Sequence, residues 1–148
     1  MAGKENLIVT GATGQLGRLV VAELLQRAPQ AHVIAVVRDP AKGQELAQRG
    51  VELRKASYDD PAALAAAFKG ADKALLISGN EVGKREAQHG NVIHAAKAAG
   101  VKLLAYTSIL HADTSPMGLA VEHRATEALL KASGLPVALL RNSWYTEN

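Results

Sequence analysis

Three glycines at a spacing of three, in Thr10-Gly11-Ala12-Thr13-Gly14-Gln15-Leu16-Gly17, are the residues of this 148-residue chain best suited to chemistry. They follow the apolar run Asn6 to Thr10 and open a helical pattern, so they stand at a strand-to-helix turn. There Gly11 permits the tight bend, Gly14 lets backbone approach a pyrophosphate with no Cβ between them, and Gly17 lets the helix sit close to the strand. Thr13, Gln15 and Leu16 complete the expected contact set, with free amides at the helix start facing phosphates. A glycine-rich turn without a ligand is the bland alternative. A second group follows the run His32 to Val37, in Val37-Arg38-Asp39-Pro40. The slot for an acid that binds ribose hydroxyls is followed at once by Arg38, whose guanidinium can grip a 2′-phosphate bidentately, and Lys42 adds a second charge. NADP (NADPH) is therefore expected over NAD. Asp39 remains open between starting a helix before Pro40 and bonding a 2′-hydroxyl, and Arg38 between phosphate ligand and solvated loop cation.

Six β-type runs must position these groups: Asn6 to Thr10, His32 to Val37, Val51 to Ala56, Lys73 to Ser78, Lys102 to Thr107 and Pro136 to Arg141. Most are continuous Val/Ile/Leu/Ala runs, the pattern of strands buried on both faces of a parallel sheet. Helical patterns lie between them. One spans Gln15 to Arg27, with Pro29 beyond it. Another opens with Asp60 as cap and Pro61 at its first position and closes at Gly70; a third, about Arg85 to Ala99, stops at Gly100, and a fourth, about Gly118 to Ser133, stops at Gly134. The alternation describes one α/β domain over residues 1–148, a doubly wound parallel sheet of the Rossmann type in the order 3-2-1-4-5-6.

Composition narrows the function classes. Hydrophobic residues make up 48% and charged residues 21%, as in folded globular chains, and there is no cysteine, which excludes disulfides, zinc-thiolate sites and a cysteine nucleophile and suits a reducing cytoplasm. No apolar run approaches the ~18 residues of a membrane span, so a soluble chain is expected. The formal charge of +3 is scattered and aromatics are only 3%, which argues for a small anionic ligand over nucleic acid. His89 and His94, five apart, fit one helix face poorly, and His111 falls in a loop, so no metal site is expected. Glu81, Lys84, Arg85 and Glu86 read as a solvated charge cluster. A homo-oligomer is left open.

The glycine loop resembles that of the extended and atypical short-chain dehydrogenase/reductases. Ala105-Tyr106-Thr107-Ser108-Ile109-Leu110-His111-Ala112-Asp113-Thr114-Ser115-Pro116 and Leu140-Arg141-Asn142-Ser143-Trp144-Tyr145 narrow the match to the NmrA-like group, and within it to the type 2 NAD(P)H:quinone oxidoreductases. The resemblance covers the whole chain but about the N-terminal half of such a protein, with the substrate-facing C-terminal part absent. It implies an NADPH-dependent oxidoreductase that transfers hydride to a quinone, or alternatively a non-catalytic NADP(H)-sensing module, as members of the group are known to be.

Relatives with ordinary ketone chemistry carry a Tyr-x-x-x-Lys pair on the helix after the fifth strand. Aligned on the Glu matched to Glu127, those slots fall here on Leu119 and His123. Leucine transfers no proton, so ketone chemistry by the usual route is not expected, whereas quinone reduction needs mainly hydride in near-attack geometry, with protons from water. In the Lys slot, His123 is a catalytic candidate, the alternative being a helix-surface ion pair with Glu127, four residues on. Thr107 and Ser108 end the fifth strand, where one hydroxyl is expected to reach nicotinamide or substrate, a turn or capping hydroxyl being the alternative for Ser108. Ser78 and Gly79 are expected to wall the adenosine ribose, and the slot of the family's adenine-contacting acid falls on Ser57. After the sixth strand, the resemblance implies nicotinamide or substrate contacts for Asn142, Trp144 and Tyr145. Tyr145 is the second catalytic candidate, and Trp144 either stacks on a quinone ring or simply buries apolar surface.

Overall fold

All six apolar runs form strands: β1 Asn6–Thr10, β2 His32–Val37, β3 Glu52–Lys55, β4 Lys73–Leu76, β5 Leu103–Ile109 and β6 Val137–Asn142. In the computed structural model, which describes residues 3–143, they pair in parallel in the order β3-β2-β1-β4-β5-β6. The helices are α1 Gln15–Arg27, α2 Gln44–Gln48, α3 Pro61–Ala67, α4 Arg85–Ala99 and α5 Gly118–Ser133, with a 3₁₀ turn at Pro40–Gly43 before α2.

Both faces of the sheet are covered, which is why its strands lack polar alternation. Ile8, Ile34, Val36, Leu76 and Leu104 face one layer, packed with Leu64, Phe68, Val92 and Leu130 of the α3, α4 and α5 side. Val9, Val33, Ala35 and Val37 face the other, against Val21 of α1 and Leu46 of α2. The helix stops follow local chemistry. Gly100 and Gly134 take the left-handed conformation at φ 72° and 77°, and the Asp60 carboxylate accepts from the Ala63 N–H at 3.1 Å ahead of Pro61.

The fourth strand ends at Leu76, two residues before the expected Ser78. The Ile77 N–H donates to Thr10 Oγ1 at 3.1 Å and the Ser78 N–H to Thr107 Oγ1 at 2.8 Å, so side chains replace ladder carbonyls there. The chain leaves β1 toward β2 and returns on the other side as β4, which makes the β1/β4 boundary the switch point where open α/β sheets hold ligands. Among the described residues no helix is long and apolar enough to cross a membrane.

Candidate functional site

At the switch point the Thr10 hydroxyl stitches the two halves together. It donates to the Leu75 carbonyl at 3.0 Å, and the buried Tyr58 hydroxyl lies 2.7 Å from both Thr10 Oγ1 and the Ile77 carbonyl oxygen. Burial pushes the Tyr58 phenol well above its ordinary range, so it stays protonated as a donor. Above this floor sits a cavity of about 390 Å³, bounded by Gly11, Thr13 and Gly14 on one side and by Arg38 and Lys42 on another. Ser57, Tyr58, Ser78 and Gly79 close it.

The glycines act as their spacing requires. Gly11 has φ +59°, and an ideal Cβ on Gly17 would stand 2.6 Å from Ala12 Cα and closer still to the Gly11 carbonyl oxygen. A Cβ on Gly14 would meet nothing nearer than that oxygen at 3.4 Å, leaving its open face to the cavity. Helix α1 starts at Gly14 with no side-chain cap and no acidic residue in its first turn. Such an end suits a phosphate, and the residues present therefore fit a dinucleotide.

Arg38 is exposed on the cavity rim and makes no hydrogen bond or ion pair among the described residues. Asp39 takes the helix-starting alternative, its carboxylate accepting from the Ala41 N–H at 3.0 Å. Arg18 went unremarked in the sequence. Its Nε donates to the Thr13 carbonyl at 2.9 Å and its Nη2 to the Lys42 carbonyl at 3.1 Å, so one side chain ties the glycine loop to the segment carrying Lys42.

A second cavity of about 360 Å³ adjoins the first, with Ile77 and Ser78 lining both. Its apolar wall is Leu16, Ile109, Leu110, Met117 and Leu119, and its polar wall includes Thr107, His123, Arg85 and Asn142. Leu119, in the slot of the usual proton-transferring tyrosine, thus faces this space. Of the other candidates, Gln15 is exposed and lines neither cavity, and Trp144 and Tyr145 lie outside the described residues.

Behind the second cavity the structure departs from expectation in three places. The surface ion pair between His123 and Glu127 does not form, because both are 4% exposed and turn to different partners: His123 Nδ1 to the Tyr106 hydroxyl at 2.6 Å, and Glu127 to Arg141 and Ser108. Ser108 lines neither cavity, and instead of acting as a turn or capping hydroxyl it donates to Glu127 Oε2 at 2.6 Å. Burial alone would raise the Glu127 carboxyl, but Arg141 and Ser108 outweigh it and keep the group below its ordinary value. Arg85 is no solvated cation either. It is buried, donates through Nε to the Gly79 carbonyl at 2.6 Å and through Nη1 to Glu122 at 2.9 Å, and fixes the wall between the cavities.

His89 holds the same wall from beneath. Its Nε2 accepts the Gly79 N–H at 2.9 Å, so its own proton sits on Nδ1 and goes to Thr126 Oγ1, 2.9 Å away. Burial, then the charges of His123 and Arg85, lower its pKa to about 4. Tyr58, His89, Tyr106 and His123 form a row of rings with centroids 5.4–6.2 Å apart, running from one cavity to the other. Tyr58, three residues beyond the end of β3, and Arg18, directly after the last glycine, have only those positions as a signal in the sequence.

Comparison with known proteins places this geometry. The chain is 57% identical over 142 residues to quinone oxidoreductase 2 of Escherichia coli (strain K12), covering 96% of this chain and 50% of that protein. The crystal structure of the E. coli NADPH-dependent quinone oxidoreductase complexed with NADPH superposes with a TM-score of 0.92 over the same shares. Triphenylmethane reductase of Citrobacter sp., complexed with NADP(H), is 44% identical with a TM-score of 0.91 over 95% of this chain and 50% of that one. An NmrA-like family domain-containing oxidoreductase of Aspergillus flavus is 33% identical over 147 residues, covering 95% and 48%. The chain spans about half the length of the curated relatives it matches. The glycine loop and everything after it, residues 11–148, match the NAD(P)H-binding family, and the chain belongs to it.

Proposed function

We propose that this chain is the nucleotide-binding part of a cytoplasmic NADPH-dependent quinone oxidoreductase, with a small flat acceptor and not nucleic acid as its partner. The observation that carries the reading is the pair of adjoining cavities, one with a phosphate-ready glycine loop beside Arg38 and Lys42, the other with an apolar wall and a few polar groups. The 57% identity to the E. coli enzyme supports it, and the lack of cysteine suits the compartment. When bound, NADPH supplies a hydride that, with one proton from water, turns a quinone into a hydroquinone.

The chain's own residues bind, orient and exclude water. The amides after Gly14 take the pyrophosphate, and Arg38 with Lys42 takes the 2′-phosphate. Ser78 and Gly79 wall the ribose, and Thr107 and Asn142 border the nicotinamide end. Leu16, Leu110, Met117 and Leu119 pack against a flat ring, dry the acceptor space and strengthen its polar interactions, while His123 faces the acceptor's oxygen.

Titration with NADPH and NADH tests the cofactor half, with NADPH expected to bind tighter. Arg38→Ala should weaken NADPH by about ten- to a hundredfold and leave NADH unchanged, since a charge-assisted phosphate contact contributes about 1.5–3 kcal/mol. Equal losses for both nucleotides would remove the 2′-phosphate assignment. NADPH oxidation that depends on added benzoquinone tests the other half, and tight binding without turnover would point to the sensing alternative.

A further inference from the structure

The acceptor cavity has lost the tyrosine that usually delivers a proton, and the structure supplies a buried tyrosine behind its histidine instead. We propose that Tyr106 locks His123 in its neutral Nε2–H tautomer, so that His123 serves the acceptor as a fixed hydrogen-bond donor and not as an acid. This rests on the quinone-reductase reading of the same cavity.

The geometry is specific. Tyr106 is fully buried in β5, flanked by Leu76 of β4 and Leu139 of β6, so its phenol has no room to swing. Its hydroxyl meets His123 Nδ1 at 2.6 Å. Among the described residues no hydrogen bond engages Nε2, and His123 lines the cavity. A phenol is a stronger donor than a neutral imidazole N–H, and an unprotonated imidazole nitrogen is a stronger acceptor than a phenol oxygen. The proton between them therefore stays on Tyr106, and the imidazole's own proton is left on Nε2.

Burial, with Arg85, favours the neutral ring. From α4, Arg85 and His89 face it; from α5 itself, Glu122 and Glu127; from β5, Tyr106; and from β6, Arg141 through Glu127. Each carboxylate has its own cation, Arg85 for Glu122 at 2.9 Å and Arg141 for Glu127 at 2.7 Å, and their remaining pull on the imidazole is outweighed. Burial, then Arg85, push His123 below the usual imidazole range.

A neutral donor fits the reaction's balance. Hydride brings two electrons to the quinone and leaves negative charge on its oxygen, which a preorganised N–H stabilises without reorganising. Giving up that N–H proton would leave an imidazolate, so the proton that completes the hydroquinone comes from water. Tyr106 is a positioning residue and touches neither substrate nor cofactor.

Two-bond ¹H–¹⁵N correlation spectra of the full chain, with ¹⁵N-labelled histidine, read the tautomer without nucleotide or acceptor. At about pH 7 His123 should show a protonated Nε2 and a pyridine-type Nδ1. His89 should show the opposite, and that signal reports a folded chain. Tyr106→Phe should mix the His123 tautomers while the His89 pattern persists. An Nδ1–H or imidazolium form of His123 in the unaltered chain would overturn the proposal on its own, even if Tyr106→Phe failed to fold. So would a folded Tyr106→Phe variant with Nε2–H fully retained. In quinone turnover, kcat should stay level as pH rises from about 7 to 8, where an imidazolium acid would lose activity. A locked tautomer in a protein that reduces no quinone would overturn the activity and leave the lock in place.

Discussion

Two glycines three positions apart answer to different demands, and substitution separates them. A methyl group at Gly17 meets backbone of Gly11 and Ala12 well inside contact distance, and neither peptide can yield without moving β1 from α1. Gly17→Ala should therefore lower stability by about 2–4 kcal/mol and weaken NADPH binding with it. At Gly14 the methyl has room, since its nearest neighbour is 3.4 Å away, and it projects where the pyrophosphate would approach. Gly14→Ala should melt within a few degrees of the parent and bind NADPH at least about tenfold more weakly. Thermal melts of both variants with and without nucleotide decide this, and parallel losses of stability would show that the loop serves packing alone.

Helices carry their boundaries in their own residues, so element limits were largely legible. Helix α1 has the expected ends, and Gly100 and Gly134 stop α4 and α5 because a left-handed residue costs glycine little. Helix α3 depends on one cap. Asp60→Ala should cost about 1 kcal/mol by denaturant melting and leave NADPH affinity unaltered, as Asp60 does not line the nucleotide cavity; a change in affinity would tie α3 to the site. Side-chain partners between elements were not legible. His123 and Glu127 share a helix at a spacing that suggests a surface pair, but their neighbours Tyr106, Ser108 and Arg141 arrive from β5 and β6. Only the sheet order brings those strands beside α5, and once there they bury both side chains. Arg85 misleads likewise, since a charged run in a loop looks solvated until Glu122 on another helix is packed against it.

On the acid side, the buried histidines and carboxylates give the whole molecule's stability one direction of pH dependence. His89 is held at about 4 against an ordinary 6.5, so as pH falls through that window the unfolded chain binds its proton first and stability is lost, by at most about 3 kcal/mol. Glu122 and Glu127, lowered in the folded state, contribute above the ordinary carboxylate range and lose that contribution as pH falls below about 4.5. Both effects have the same sign. Urea melts should show a decline that starts near pH 6.5, well before the carboxylates titrate, and His89→Gln should make it shallower, leaving the part that His123 contributes; a level profile down to about pH 5 would mean that His89 is solvated.

The hydroxyl of Thr10 that joins β1 to β4 spans 65 residues of chain, and the nucleotide cleft lies across that seam. Loop-closure entropy opposes that seam, and the folding of β2, β3 and α3 between its ends offsets the cost. Dinucleotide therefore meets its site only once that seam has closed. It can act as a latch that slows the seam's reopening, but it offers no template to a chain still finding its way.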